Sequence, residues 1–363
     1  MNGCFDITPI QEWLDYHDKP LVIAGPCSAE SEDQVIETAR GIASLPGVRV
    51  FRAGLWKPRT RPGAFEGVGD KGLRWMQRVK EETGLKTTVE VAQPIHVEKA
   101  LKAGIDIVWI GARTVVNPFS VQEIGEAIKG TDLPVMIKNP LNPDLKTWMG
   151  ALERLNGMNI TRLAAIHRGF SFFQNTPYRN SPMWEIPIEL KRLCPELPVI
   201  IDPSHICGET TRLLSIAQKG LDLEMNGLMI ECHIRPQEAL TDKKQQITPG
   251  QLQEMLSQLV IRKESGSIEF LNTLEKLRSE IDKLDQELIE ILARRMNVVE
   301  EIGKYKKENK ITILQLKRWS QIIRERVDSG EHLGLSRSFL MKLLEALHEE
   351  SIQRQIDVMN REE

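Results

Sequence analysis

From Gly250 to the last residue the chain has no proline, although 19 stand at or before Pro249. Proline removes a backbone donor and clashes inside helices, so a long stretch without it predicts helix throughout. Five cysteines, Cys4, Cys27, Cys194, Cys207 and Cys232, form neither a CxxC pair nor a dense framework. That excludes a disulfide scaffold and predicts a reducing, cytoplasmic setting. No apolar run approaches membrane length, and Asp6, Glu12, Asp15 and Asp18 stand where a signal core would be apolar. A net charge of -3 lacks the positive excess that a nucleic-acid or membrane-surface partner selects. A phosphate-cradling P-loop is absent, so nucleotide binding is not implied.

What is present is a repeated unit. Eight short apolar runs cross the first part of the chain: Leu21 to Ser28, Val48 to Trp56, Lys86 to Ala92, Ile105 to Arg113, Pro134 to Pro140, Arg162 to Phe170, Pro198 to His205 and Gly227 to Ile234. Each ends in a residue able to do chemistry, namely Cys27, Arg52, Glu90, Arg113, Lys138, His167 with Arg168, His205 and Glu231. Continuous Val/Ile/Leu runs without alternation predict strands buried on both faces, with helices between them. Eight such units make a (β/α)8 barrel whose active site gathers at the C-terminal ends of the strands. A barrel takes about 250 residues, so a chain of 363 needs a second domain. The expected division is a barrel over 1–260, a linker over 261–267 containing Ser265, Gly266 and Ser267, and an all-helical domain over 268–363. In the last segment, Leu274, Leu277, Ile281, Leu284, Leu288, Ile291, Leu292, Val299 and Ile302 recur at steps near 3 and 4. One helix to about Lys307, roughly 60 Å long, cannot bury itself in a compact monomer. With two shorter helices near Gln315 to Ser329 and Ser336 to Met359, it predicts half of an intertwined homodimer, or a higher assembly.

Cys27, His205, Glu231 and Asp242 lie on or beside the first, seventh and eighth runs, which barrel closure makes neighbours. One thiolate, one imidazole and two carboxylates suit a divalent transition ion better than Ca or Mg. Cys27 alone would read as a small core residue; three other ligand types beside it favour the metal. Arg52, Lys57, Arg59, Arg113, Lys138 and Arg168 form a cationic rim. Guanidinium forks match phosphate and carboxylate, so the expected substrates carry both groups. The loop Lys57-Pro58-Arg59-Thr60-Arg61-Pro62-Gly63 is too rich in proline for a helix and suits a rigid phosphate clamp.

The segments GPCSAE, KPRT, GAR, KN, IHRG and DPSH, in this order, resemble the type I 3-deoxy-D-arabino-heptulosonate 7-phosphate (DAHP) synthases. The resemblance implies one divalent ion, Mn2+ first and Fe2+, Co2+ or Zn2+ next, held by Cys27, His205, Glu231 and Asp242. It implies that Arg52, Lys57, Arg113, Lys138 and Arg168 bind phosphoenolpyruvate and that Lys57, Pro58, Arg59 and Thr60 hold erythrose 4-phosphate. Lys57 is the expected proton donor to the new alkoxide and His167 the expected orienter of the attacking water. Related barrels use phosphoenolpyruvate with other aldoses, and KPRT argues against them. Only about twenty residues precede the first run, so the family's N-terminal regulatory domain is expected to be absent.

Leu277-Arg278, Ile281-Asp282, Ala293-Arg294-Arg295 and Gly303-Lys304-Tyr305-Lys306 resemble the all-helical chorismate mutases. Arg295 and Lys306, 11 residues apart, share a helix face; Arg278, 17 residues before Arg295, lies roughly 100° round the helix and is expected to reach a partner's pocket. The resemblance implies chorismate as substrate, with Arg295, Lys306 and Gln355 catalytic and Arg278, Arg318 and Ser351 binding. Trp319 stands where several members have a glutamate that helps hold the substrate hydroxyl. A fused chorismate-binding domain also predicts feedback on the barrel by prephenate or chorismate. The alternative reading makes the helices a dimerisation and ligand-sensing module without catalysis.

Overall fold

In the computed structural model, residues 5–14, 20–58, 63–173, 176–262 and 268–361 are described, the side chains of 268–272 excepted. Contacts divide the chain into two units, Met1–Arg262 and Lys263–Glu363.

In the first unit eight parallel strands close on themselves in chain order. They are β1 (Leu21–Gly25), β2 (Val48–Ala53), β3 (Lys86–Val91), β4 (Ile107–Ile110), β5 (Val135–Lys138), β6 (Leu163–His167), β7 (Val199–Ile201) and β8 (Gly227–Glu231). Between and around them run α1 (Ile10–Trp13), α2 (Glu32–Ala43), α3 (Lys71–Thr83), α4 (Pro94–Lys102), α5 (Pro118–Ile128), α6 (Leu145–Asn156), α7 (Glu185–Leu193), α8 (Pro203–Cys207), α9 (Leu213–Asp222) and α10 (Pro249–Gln258). The eight apolar runs are the eight strands, but each run overshoots its strand at the C-terminal end. The seventh shows why. After Ile201 the ladder stops because Asp202 caps the next helix, accepting the His205 backbone N–H, and Pro203 occupies its first turn. Cys27, Arg113, Arg168 and His205 therefore sit just beyond the ladder, while Arg52, Glu90, Lys138 and Glu231 occupy the last residues of their strands.

Two cores result from the pleat, because alternate strand residues point to opposite faces. Leu21, Ile23, Val50, Ile107, Trp109, Met136, Ala164, Ile166, Ile200 and Met229 fill the barrel, with Ile10, Trp13 and Leu14 joining them around α1. The other face of each strand, including Val22, Phe51, Val89, Val108 and Ala165, packs on the surrounding helices.

The second unit is all helical: α11 (Ile268–Glu308), α12 (Leu316–His332) and α13 (Arg337–Asn360). Its 41-residue first helix is about 60 Å long. Helix α12 runs through Gly330, past the expected stop at Ser329, because a close crossing makes glycine useful there. A Cβ at Gly330 would lie 2.6 Å from Leu340 of α13. Helix α13 begins after Ser336, whose hydroxyl accepts the Phe339 N–H. Val299, Val327, Leu340 and Val358 are buried in this unit, whereas Leu277, Ile281, Leu284, Leu288 and Ile291 are about half exposed. Those five follow steps of 4, 3, 4 and 3 along α11, the spacing of a coiled-coil seam. No helix among the described residues is long and apolar enough to cross a membrane.

Candidate active sites

Cys27 follows β1, Glu231 ends β8 and Asp242 lies in the loop after it. Their donor atoms all fall within 4.8 Å of one another. His205 joins from α8, its Nε2 3.8 Å from Glu231 Oε1. Glu231 Oε1 is buried and accepts no hydrogen bond; the Arg52 guanidinium lies 3.3 Å away. Gln245 donates to the other oxygen at 2.7 Å. Asp242 is held in a left-handed conformation, φ 46°, while Arg179 donates to its Oδ1 at 3.0 Å and to Gln245 at 2.7 Å. A thiol and two carboxylates thus converge on one point, with a buried carboxylate oxygen left over and the His205 imidazole approaching from the Glu231 side. That donor set fits a divalent transition ion.

Electrostatics support the same division of labour. Burial pushes the Cys27 thiol up to about 12, and the neighbouring Glu231 adds to the rise. The proton is therefore retained until a stronger positive charge displaces it. Lys57 lies 2.8 Å from Cys27 Sγ, in space opened by Gly54, where a Cβ would meet Lys57 Cε at 2.5 Å. Burial opposes ionisation of Asp242, but Arg179 and then His205 bring it down to about 2. Burial keeps His205 below its ordinary value, toward the neutral form a metal needs.

Beside this cluster opens a cavity lined by Lys57, Pro58, Glu90, Arg113, Lys138, Arg168, Arg179, His205 and Asp242. Arg52 does not line it: the side chain is fully buried, with its guanidinium 5.0 Å from the Trp109 ring centre. Burial pulls Arg168 down to about 10, and Asn180 accepts from it at 2.7 Å. Arg52, Pro58, Arg113, Lys138 and Arg168 are all at this end of the barrel. Arg59 and Thr60 lie outside the described residues. A larger cavity, bordered by Pro20, Leu45, Pro46, Leu256 and Leu259, holds no comparable cluster.

His167 is the correction. Along β6, Ala164 and Ile166 face the barrel interior, so His167 faces the helices. Its ring packs among Trp148, Phe170 and Trp184, and burial drives it down to about 3. It does not line the cavity in which it was expected to orient water. Asp202, Arg179, Gln245, Asn180 and Trp109 went unnoticed in the sequence. Only Asp202 carried a signal there, as the first residue of DPSH.

In the helical unit, α11 and α13 bring Arg295, Ser351 and Gln355 onto one interface, with Lys306 one turn beyond Gly303, which packs against Gln355. Arg295 donates to Ser351 Oγ at 2.8 Å; Lys306 donates to the Ile313 carbonyl at 2.6 Å. Gln355 is buried, donates to the Ser351 carbonyl at 3.1 Å and leaves its Oε1 without a partner. Desolvation lowers both Arg295 and Lys306. Trp319 stacks on His348, ring centres 3.8 Å apart. Arg318 hydrogen-bonds Gln321. Arg278 is exposed, 3.7 Å from Glu275, and lies about 25 Å along the helix from Arg295.

Residues 8–266 match the model of the DAHP synthetase I family, and residues 277–356 match chorismate mutase type II. Over 238 residues the chain is 28% identical to a phospho-2-dehydro-3-deoxyheptonate aldolase of Thermotoga maritima, covering 66% of this chain and 68% of that one. It is 26% identical over 264 residues to a 2-dehydro-3-deoxyphosphooctonate aldolase of Wolinella succinogenes, covering 66% and 98%. The crystal structure of the Thermotoga maritima DAHP synthase is similar at a TM-score of 0.59 and 27% identity, covering 66% of this chain and 67% of that one. A truncated form of the enzyme gives 0.57 and 25%, covering 66% and 84%. The chain therefore belongs to the DAHP synthetase I family and carries a chorismate mutase type II domain behind its barrel.

Proposed function

We propose that the barrel condenses phosphoenolpyruvate with erythrose 4-phosphate to DAHP and phosphate, and that the helical domain rearranges chorismate to prephenate. For the barrel, the observation that carries the reading is the meeting of a transition-metal donor set with a cationic cavity on one rim. A divalent ion, Mn2+ before Fe2+, Co2+ or Zn2+, would be held by Cys27, His205, Glu231 and Asp242 and would supply Lewis-acid polarisation of the aldehyde. Arg52, Arg113, Lys138 and Arg168 bind the phosphate and carboxylate of phosphoenolpyruvate, aligning its C3 with the aldehyde carbon of a second anion that would otherwise be repelled. Arg59 and Thr60, with Pro58, complete the erythrose 4-phosphate clamp on the strength of the KPRT segment. As C3 attacks, Lys57 gives a proton to the new alkoxide, and positive character at C2 draws water. With His167 facing outward, Glu90, which lines the cavity and is not one of the four metal ligands, takes the water's proton. Loss of phosphate then completes the reaction.

Chorismate rearranges without covalent or acid-base chemistry, so its catalyst needs only to fix a dicarboxylate in a reactive conformer and stabilise charge on the ether oxygen. Arg295 with Ser351 grips a carboxylate, and Lys306 with the Gln355 amide faces the ether oxygen. Arg318 and the partner subunit's copy of Arg278 complete the pocket in a homodimer joined along α11. The exposed seam on α11 supports that assembly.

Chorismate loss is measured with the intact protein and with Arg295→Ala. The expected result is rapid loss that falls by roughly 100-fold in the variant, the scale set by removing one preorganised charge-stabilising donor. No turnover above the uncatalysed rate would leave the helices a dimerising sensor and DAHP formation the only chemistry.

A further inference from the structure

Between the metal cluster and the cationic cavity stands a carboxylate that the reaction itself does not use. Asp202 is fully buried, and its Oδ2 lies 2.8 Å from Lys138 Nζ and 2.8 Å from His205 Nδ1. Its Oδ1 accepts the His205 backbone N–H at 3.0 Å, and its own N–H donates to the His167 carbonyl at 2.8 Å. Backbone and side chain are therefore fixed from β6 and α8 together. A carboxylate oxygen 2.8 Å from Nδ1 favours the tautomer that carries its proton there, which leaves the Nε2 lone pair for the Glu231 side of the cluster. The same oxygen anchors the ammonium that lines the cavity beside Arg113 and Arg168.

We propose that Asp202 is a positioning residue that couples the two halves of the barrel site, so that a divalent cation and phosphoenolpyruvate each tighten the other's binding. This rests on the reading of the barrel given above. The physical reason is that one oxygen serves two cations. When a phosphate or carboxylate takes up protons of Lys138, the ammonium leans less on Asp202, which then accepts more strongly from His205 and makes its Nε2 a better donor. When Nε2 shares its lone pair, Nδ1–H becomes more acidic and draws Asp202 toward itself, freeing Lys138 for the incoming anion. Coupling of this kind is reciprocal by thermodynamic necessity.

The test is Co2+ titration of the metal-free full-length protein, read by the cysteine-to-cobalt absorption band, with and without saturating phosphoenolpyruvate. Wild type should bind Co2+ more tightly with phosphoenolpyruvate present, by at least about 5-fold. Asp202→Asn keeps the cap on the His205 N–H but removes the charge, and should weaken Co2+ by about 10- to 100-fold and abolish the effect of phosphoenolpyruvate. Asp202→Ser is the second variant should the first not fold, with thermal melting as the check on both. Wild type that binds and condenses normally beside a folded variant with unchanged affinity and coupling overturns the role of Asp202 alone. Wild type that takes up no Co2+ overturns the barrel reading and this inference with it.

Discussion

His167 and Arg168 are consecutive in sequence and opposite in fate. Arg168 lines the cavity, while His167 enters an aromatic cage between β6 and the helices. The cage has a measurable consequence, because burial brings the imidazole from an ordinary value near 6.5 to about 3. Unfolded chain takes up a proton between those values and folded chain does not, so the contribution is complete above about pH 6.5 and is lost as pH falls toward 3. The slope is about 1.4 kcal/mol per pH unit. Replacing His167 with Phe should remove roughly 2 kcal/mol of the stability lost between pH 7 and pH 5. Urea unfolding followed by tryptophan fluorescence reads this, since six of the seven tryptophans lie in the barrel unit. Equal losses in variant and wild type would contradict it.

At the scale of one element, α11 is the informative case. Leu277, Ile281, Leu284 and Leu288 form a seam, yet each is about half exposed in the chain alone. Apolar surface repeated over several turns is unstable in water, and a second copy of the seam is what would cover it. Arg278 lies on the same part of the helix, too far from Arg295 to serve one pocket. A double substitution, Leu284→Glu with Leu288→Glu, should convert the proposed dimer to monomers in sedimentation. Chorismate turnover should fall by roughly 100-fold with it, because a pocket missing one arginine no longer fixes the substrate. A monomeric variant with full mutase activity would show that each pocket is complete within one chain.

At the scale of the molecule, two compact units of different function share one chain. Feedback requires that a ligand on the helical unit favour one arrangement of the whole over another. Prephenate added to the intact protein should slow DAHP formation, and Arg295→Ala should abolish that response while leaving uninhibited DAHP formation unchanged. Coupled assays of phosphate release with and without prephenate check both. An unaltered rate across the binding range of prephenate would mean that the fusion joins two activities without regulation.

What could be read from the residues alone were features with local causes. Eight apolar runs announced eight strands and ended the last of them at Glu231, the absence of proline after Pro249 announced a helical tail, and motif segments carried Cys27, Lys57 and His205 to or just past the strand ends. Direction and partnership were not local. Strands buried on both faces lose the alternation that reveals which residue points inward, so nothing in Ile166-His167-Arg168 tells that only the arginine meets the cavity. Asp202 reaches Lys138 across 64 residues and Arg179 reaches Asp242 across 63. Such pairs exist only once the barrel has closed, because closure, and no property of either residue, brings distant strand ends within a hydrogen bond of each other.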